Sequence, residues 1–189
     1  NYKKDEKKIV GGKNGFGFKL VLIYSKWGEI ETVDHIRKKK YVQRFENNLT
    51  DILKPTIKSC TSKPYTKVTW LPDYERFGIE RLTDDMFNLF KKRTYDVGVV
   101  TRDSVRVKFN NKTVPNKNFE QYIDSYIGPK TSTPRAFESP NKRWEVGACL
   151  SPLDEFTQVS CVNGINTTKG GKHIDYILNQ IVRKMIVYI

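Results

Sequence analysis

The chain has 189 residues, 38% hydrophobic and 12% aromatic, which is enough to bury a core and too apolar for wholesale disorder. Its formal charge is +13, and no apolar run approaches the roughly 20 residues that a membrane-spanning helix needs, so no membrane partner is expected. Three cysteines, Cys60, Cys149 and Cys161, form no CxxC pair and no Cys/His cluster, which argues against a zinc site; Cys149 and Cys161, in strand-like runs, are expected as buried thiols, and the compartment as intracellular.

The charge is unevenly placed. Residues 1–118 hold 26 basic and 14 acidic side chains (+12), and residues 119–189 hold 8 and 7 (+1). A basic surface attracts polyanions. Lysines outnumber arginines 24 to 10, whereas base-reading surfaces favour Arg, so composition leaves direct nucleic-acid contact open. The first residue is Asn1, followed by a charged stretch with no apolar signal core, which predicts no secretion. Without an initiator Met, and with Ile189 inside an apolar-periodic stretch, both ends are expected to be cuts in a longer chain.

In chain order, Gly11-Gly12-Lys13-Asn14-Gly15-Phe16-Gly17 is a glycine-rich loop, and Phe18 to Lys26 reads as a short buried helix closed by Trp27-Gly28. Residues 29–36 and 40–46 alternate as two strands of a hairpin. His35 and the run Arg37 to Lys40 form its connection, read as a solvated turn. Residues 66–71 form another strand that Pro72 ends. Thr83 followed by Asp84-Asp85 marks a helix start, and Met86, Leu89, Phe90 and Val97 share its stripe. Val105, Val107 and Phe109 alternate before a tight turn at Asn110-Asn111.

Phe119, Tyr122, Ile123, Tyr126 and Ile127 follow helical spacing, and Gly128 to Pro140 reads as a loop. Trp144, Val146, Ala148 and Leu150 alternate as a strand, residues 156–166 as a second, and residues 172–188 as a helix. Trp70 and Trp144 are expected in the core, His35 and His173 as structural or surface groups. The interleaved helices and hairpin-linked strands predict an α+β architecture.

The loop carries the chemistry. Glycines let backbone N–H groups turn toward an anion, and the helix that follows adds free amides and a positive dipole end. Lys19 adds a full positive charge there. A Walker A loop is excluded because Phe18-Lys19 follows Gly17, and a dinucleotide-binding fingerprint because Leu20 stands where a third glycine belongs. The glycine pattern alone leaves phosphate binding and a purely structural turn both open.

The full string Gly11-Gly12-Lys13-Asn14-Gly15-Phe16-Gly17-Phe18-Lys19-Leu20 resembles the nucleotide-binding loop of eukaryotic-type (type IIA) DNA topoisomerase II, and the string from Phe156 to Tyr176 resembles that family's transducer segment. Between them Tyr41-Val42-Gln43, Thr66 to Trp70, Arg93 to Val97 and Arg143 to Val146 recur in the family's order. The resemblance covers almost the whole chain. It implies a partial GHKL-type ATPase sandwich over 1–118, followed over 119–189 by the start of a transducer domain (ribosomal protein S5 domain 2-like). It implies ATP and Mg2+ as cofactors, with ATP held by Gly12, Lys13, Asn14, Gly15, Phe16, Gly17, Phe18 and Lys19. Duplex DNA and a second copy of the chain are the implied partners, in the nucleus or, for a large DNA virus, at the replication site.

Phe18 stands where the family has Ala, and Gly164 and Asn166 where it usually has Ser and Ala. The family's Glu general base and adenine-reading Asp precede the loop, while its γ-phosphate Lys and DNA-cleaving Tyr follow the transducer segment. No catalytic or metal-binding residue is therefore assigned, and the region alone is expected to be inactive. The competing readings are a basic nucleic-acid-binding α+β module that uses no nucleotide, and a mismatch-repair or chaperone ATPase, against which the 156–176 string argues.

Overall fold

A computed structural model describes residues 11–12, 14–101, 104–116, 118–151 and 154–189. The chain forms two compact units, one of Gly12–Asp84 and one of Gly11 with the described residues of Asp85–Ile189. Both combine helices with antiparallel strands, so the fold class is α+β.

The first unit is built on β1 (Ser25–Asp34), flanked by β2 (Lys39–Glu46) and β5 (Tyr65–Pro72), with β3 (Asp51–Ile52) and β4 (Thr56–Ser59) both on the far side of β2. The expected hairpin is present, with Ile30 opposite Gln43 on one side and Val68 on the other. Its turn is fixed by Asp34, whose Oδ1 accepts from the backbone N–H groups of Ile36 and Arg37 at 3.0 Å each.

Helix α1 (Phe16–Ile23) starts earlier and stops sooner than the sequence predicts. Ser25 Oγ donates back to Val21 O at 2.6 Å, and Asp73 N takes the Tyr24 carbonyl at 2.9 Å, which turns the chain into β1. Trp27 and Gly28 therefore lie inside a strand rather than at a helix end. Gly28 is needed there, because a Cβ would run into the Leu22 side chain. Only Leu22 of α1 is buried, while Phe16 and Leu20 are 62% and 52% exposed; the expectation of a buried helix fails because a single sheet covers one helix face. The C-terminal end of α1 is held by Asn48 Nδ2 (3.0 Å) and the Arg76 guanidinium (3.1 Å), both donating to Ile23 O. A cation at that end also complements the helix dipole.

In the second unit, α2 (Asp84–Val100) begins directly after Thr83, as the acidic start predicts. β6 (Lys108–Phe109) and β7 (Lys112–Thr113) close over Asn110 (φ 47°) and Asn111 (φ 64°), the left-handed pair that the Asn-Asn turn implies. α3 (Phe119–Ile127) is capped by Asn118, whose side chain accepts from Gln121 N at 2.9 Å.

β8 (Arg135–Asn141) pairs with β9 (Trp144–Cys149), so the stretch expected as loop to Pro140 is strand from Arg135. The register shifts between Glu138 and Asn141, and that irregularity accommodates Pro140, which has no N–H to give. The single strand expected over 156–166 is instead β10 (Cys161–Val162) and β11 (Ile165–Asn166), folded at Asn163 (φ 51°) and Gly164 (φ 79°). α4 spans Lys172–Tyr188.

Trp70 (45% exposed) and Trp144 (37%) are not core residues, and Cys149 is exposed rather than buried. The buried groups of this second unit are Val114, Tyr122, Asp96 and Asn116. Gly98 of α2 lies against Val114: a Cβ at 98 would sit 2.7 Å from Val114 Cγ2. Gly98→Val is therefore expected to overpack this contact and cost about 1–3 kcal/mol in chemical denaturation, whereas the exposed Gly12→Ala should be near neutral.

Candidate nucleotide site

The glycine loop is open. Among the described residues, no atom lies within 4 Å of where a Cβ would stand on Gly12, Gly15 or Gly17. Gly15 takes φ 68°, ψ 7°, a left-handed conformation that glycine adopts without steric cost. It occupies the N-cap of α1, and no side chain caps the helix there. The amides of the first turn thus point outward from a dipole end, which is the arrangement that receives an anion.

Asn14, Phe16, Gly17, Phe18 and Lys19 are all exposed, and Lys13 lies outside the described residues. Lys19 is the fourth residue of α1, its ammonium 5.8 Å from the centre of the Phe16 ring. The structure thus brings the described members of the predicted set together on one exposed turn and the helix it feeds. Phe18, which replaces a small residue of the family pattern, is 36% exposed and does not fill the loop.

Gly11, the first residue of the glycine string, is anchored within the second unit. Its N–H donates to Asn163 O at 3.1 Å, and a Cβ there would collide with the Ile165 side chain. This tie to the β10–β11 turn has no signature in local sequence, because its partner is some 150 residues away.

Beside that turn, Thr167 Oγ1 and Ser160 Oγ each lie 3.1 Å from His173 Nε2, and Gln158 Nε2 donates to the carbonyls of Thr167 (3.2 Å) and Thr168 (2.9 Å). His173 is thus a structural group, as expected. His35 is an exposed turn residue.

A second polar cluster went unread in the sequence. Asp96 is buried (5% exposed) and takes ion pairs from Lys92 (3.0 Å) and Arg93 (3.2 Å) on its own helix and a hydrogen bond from Tyr122. Burial and the neighbouring carboxylate push the Tyr122 phenol above its ordinary range. The i−4 and i−3 cations were the available signal. A cavity of about 260 Å³ is lined by Phe87, Tyr95, Phe109 and neighbouring residues, none of them from the loop. Among the described residues, no group of three His, Cys, Asp or Glu could hold a metal ion.

Comparison with known proteins fits these features. Residues 107–189 match the family model described as DNA gyrase B. DNA topoisomerase 2 of Acanthamoeba polyphaga mimivirus is 43% identical over 96% of this chain, and that of Arabidopsis thaliana 42% identical over 98%; the chain spans only 14% and 13% of those relatives. The crystal structure of the ATPase region of Saccharomyces cerevisiae topoisomerase II superimposes with a TM-score of 0.92 at 41% identity, covering all of this chain and 50% of that one. The ATPase and transducer domains of DNA topoisomerase II from Balamuthia mandrillaris give a TM-score of 0.90 at 33% identity, again over the whole chain and 48% of the other.

The α+β fold is thus that of a topoisomerase ATPase and transducer region, with an open glycine loop at a helix start. The chain belongs to the eukaryotic-type DNA topoisomerase II family.

Proposed function

We propose that this chain is the part of an ATP-dependent type II DNA topoisomerase that grips the ATP triphosphate and passes the nucleotide state toward the DNA gate. One observation carries the reading: an exposed glycine turn with Gly15 at φ 68° feeds an uncapped helix start with Lys19 one turn in. Backbone amides from Lys13 to Phe18 would cradle phosphate oxygens, Asn14 would fix the loop, and Lys19 would neutralise charge. ATP supplies the phosphoryl group that is hydrolysed in the enzyme. These residues bind and orient it and supply no base for the attacking water, so turnover is assigned to the rest of the enzyme.

Mg2+ does not fit the described side chains as a caged ion; it would arrive on the phosphates with its own waters. On the same reading, residues 1–118 close the ATPase domain and 119–189 open the transducer. The enzyme works as a homodimer on duplex DNA, in the nucleus or at a viral replication site.

The test is titration of the chain with a fluorescent ATP analogue and competition by inorganic triphosphate. Saturable binding displaced by triphosphate is expected, and its absence from the intact enzyme as well would overturn the reading. The relay is supported by Gly11, which precedes Gly12 in the chain and whose N–H donates to the Asn163 carbonyl. Gly11→Ala should displace Ile165 and uncouple the two. In the intact enzyme, nucleotide affinity should change by less than about threefold while DNA-stimulated ATPase falls by about tenfold, a coupling free energy of roughly 1.4 kcal/mol.

A further inference from the structure

The basic charge of the first unit is concentrated at one end of its sheet. Gly12–Asp84 holds 14 basic and 9 acidic residues, a balance of +5. Arg37, Lys38, Lys39 and Lys40 occupy the β1–β2 turn and the start of β2. Pairing then brings three distant lysines alongside. Lys58 of β4 stands opposite Lys40, Lys67 of β5 stands opposite Glu31, and Lys63 precedes β5 where that strand meets the end of β1. The Cys60 N–H, which donates to Lys38 O at 2.9 Å, ties the end of β4 to the turn.

This end holds seven cations and two carboxylates, Glu31 and Asp34, so it accounts for the whole +5 and the remainder of the unit is balanced. Two of the seven are committed, Arg37 to Asp34 (2.6 Å) and Lys40 to Glu31 (2.7 Å). Lys38, Lys39, Lys58, Lys63 and Lys67 make no ion pair among the described residues, and all five are exposed.

Lys58 stands directly opposite Lys40, whose charge Glu31 already answers, so Lys58 is left without a counter-charge of its own. A polyanion laid across this end would supply one. We propose that the β1–β2 turn, with the end of β4 and the start of β5, is a phosphate-contacting surface for duplex DNA. It rests on the reading above in taking DNA as the polyanion.

The surface crosses four strands, about 14 Å at the usual strand spacing. A duplex presents one charge per about 1.7 Å, so roughly eight charges lie over that length, enough to engage Lys58 and Lys67 on the face of Lys40 together with Lys63. Lys39 lies on the other face and donates to Ser59 Oγ at 3.5 Å. Contacts of this kind position the duplex without reading its sequence, which suits lysines.

The test is fluorescence anisotropy of the 189-residue chain with a duplex of about 30 base pairs between about 50 and 200 mM salt. Lys58→Ala/Lys63→Ala/Lys67→Ala, in which Lys58 and Lys67 share the sheet face of Lys40, is compared with Lys26→Ala/Lys54→Ala/Arg81→Ala, which removes the same charge away from this end of the sheet. Each neutralised phosphate contributes about 0.9 to the log–log salt slope, so the first triple variant should flatten it by about 2.7 and weaken binding at least tenfold at low salt. The second should stay within about threefold of the parent.

Equal weakening by both variants would overturn the proposal, as would an unchanged slope in the first or tighter binding to polyglutamate than to DNA at matched salt. ATP-analogue binding is measured on the same samples. Its retention in the first variant isolates the DNA surface from the nucleotide loop, and its absence from the parent chain and the intact enzyme points to the loop assignment instead.

Discussion

In the intact enzyme, Lys19→Ala is expected to weaken ATP binding by about tenfold to a hundredfold or more and to abolish ATP-driven DNA relaxation. On the proposed reading Lys19 makes one charge-assisted contact to phosphate, and its loss is worth about 1.5–3 kcal/mol. Lys19 is exposed and makes no ion pair among the described residues, so its removal should leave the fold intact. Gly15→Val acts by a different route. Position 15 sits at φ 68°, where a β-branched residue is a steric outlier and even an ordinary side chain costs about 1–2 kcal/mol. Relieving that strain rotates the amides at the helix start away from the anion, so triphosphate binding should be lost although no charge has changed. Isothermal titration with a non-hydrolysable ATP analogue checks both variants, and unchanged affinity in the two of them would remove the loop from the nucleotide site.

The largest effect on stability is expected at Asp96. It is 5% exposed, while its partners Lys92 and Arg93 have side chains 44% and 46% exposed. When Asp96 becomes Ala, the two cations can rehydrate, but Tyr122 loses the acceptor for its buried hydroxyl and keeps only Tyr126, 3.1 Å away. The cost is that of an under-satisfied buried group plus a broken ion pair, about 2–3 kcal/mol. For a chain of this size that lowers Tm by about 5–10 °C in a thermal melt. Asp96→Asn keeps an acceptor for Tyr122 and should lose about half as much. A loss below 0.5 kcal/mol in Asp96→Ala would mean that the cluster does not hold α2 and α3 together.

The two variants also probe different units. Lys19 belongs to the unit of Gly12–Asp84 and Asp96 to the other. Nucleotide affinity and thermal stability should therefore respond separately, Lys19→Ala leaving Tm within about 2 °C. Non-contacting sites with no shared partners are expected to combine additively.

Local pattern was enough to read much of the fold. Alternation placed the β1–β2 hairpin, the acidic start placed α2, helical spacing from Phe119 placed α3, and Asn110-Asn111 placed the β6–β7 turn. These features depend on residues within a few positions of one another, so the chain states them directly. The glycine string from Gly11 to Gly17 also marked an open turn beside a helix start, since backbone freedom is a local property.

Tertiary packing decided what depends on partners distant in sequence. Whether α1 is buried turned on how many sheets cover it, and among the described residues Leu22, against Gly28, is the one residue of α1 that is buried. The exposure of Trp70, Trp144 and Cys149 has the same origin: a side chain's period says which face it shares, not whether that face is occupied. The tie from Gly11 to Asn163, and the gathering of Lys58, Lys63 and Lys67 beside Arg37–Lys40, arise from pairings that strand register fixes. Charge and glycine are written residue by residue, but adjacency between strands is created only when backbone hydrogen bonds choose one alignment over its neighbours.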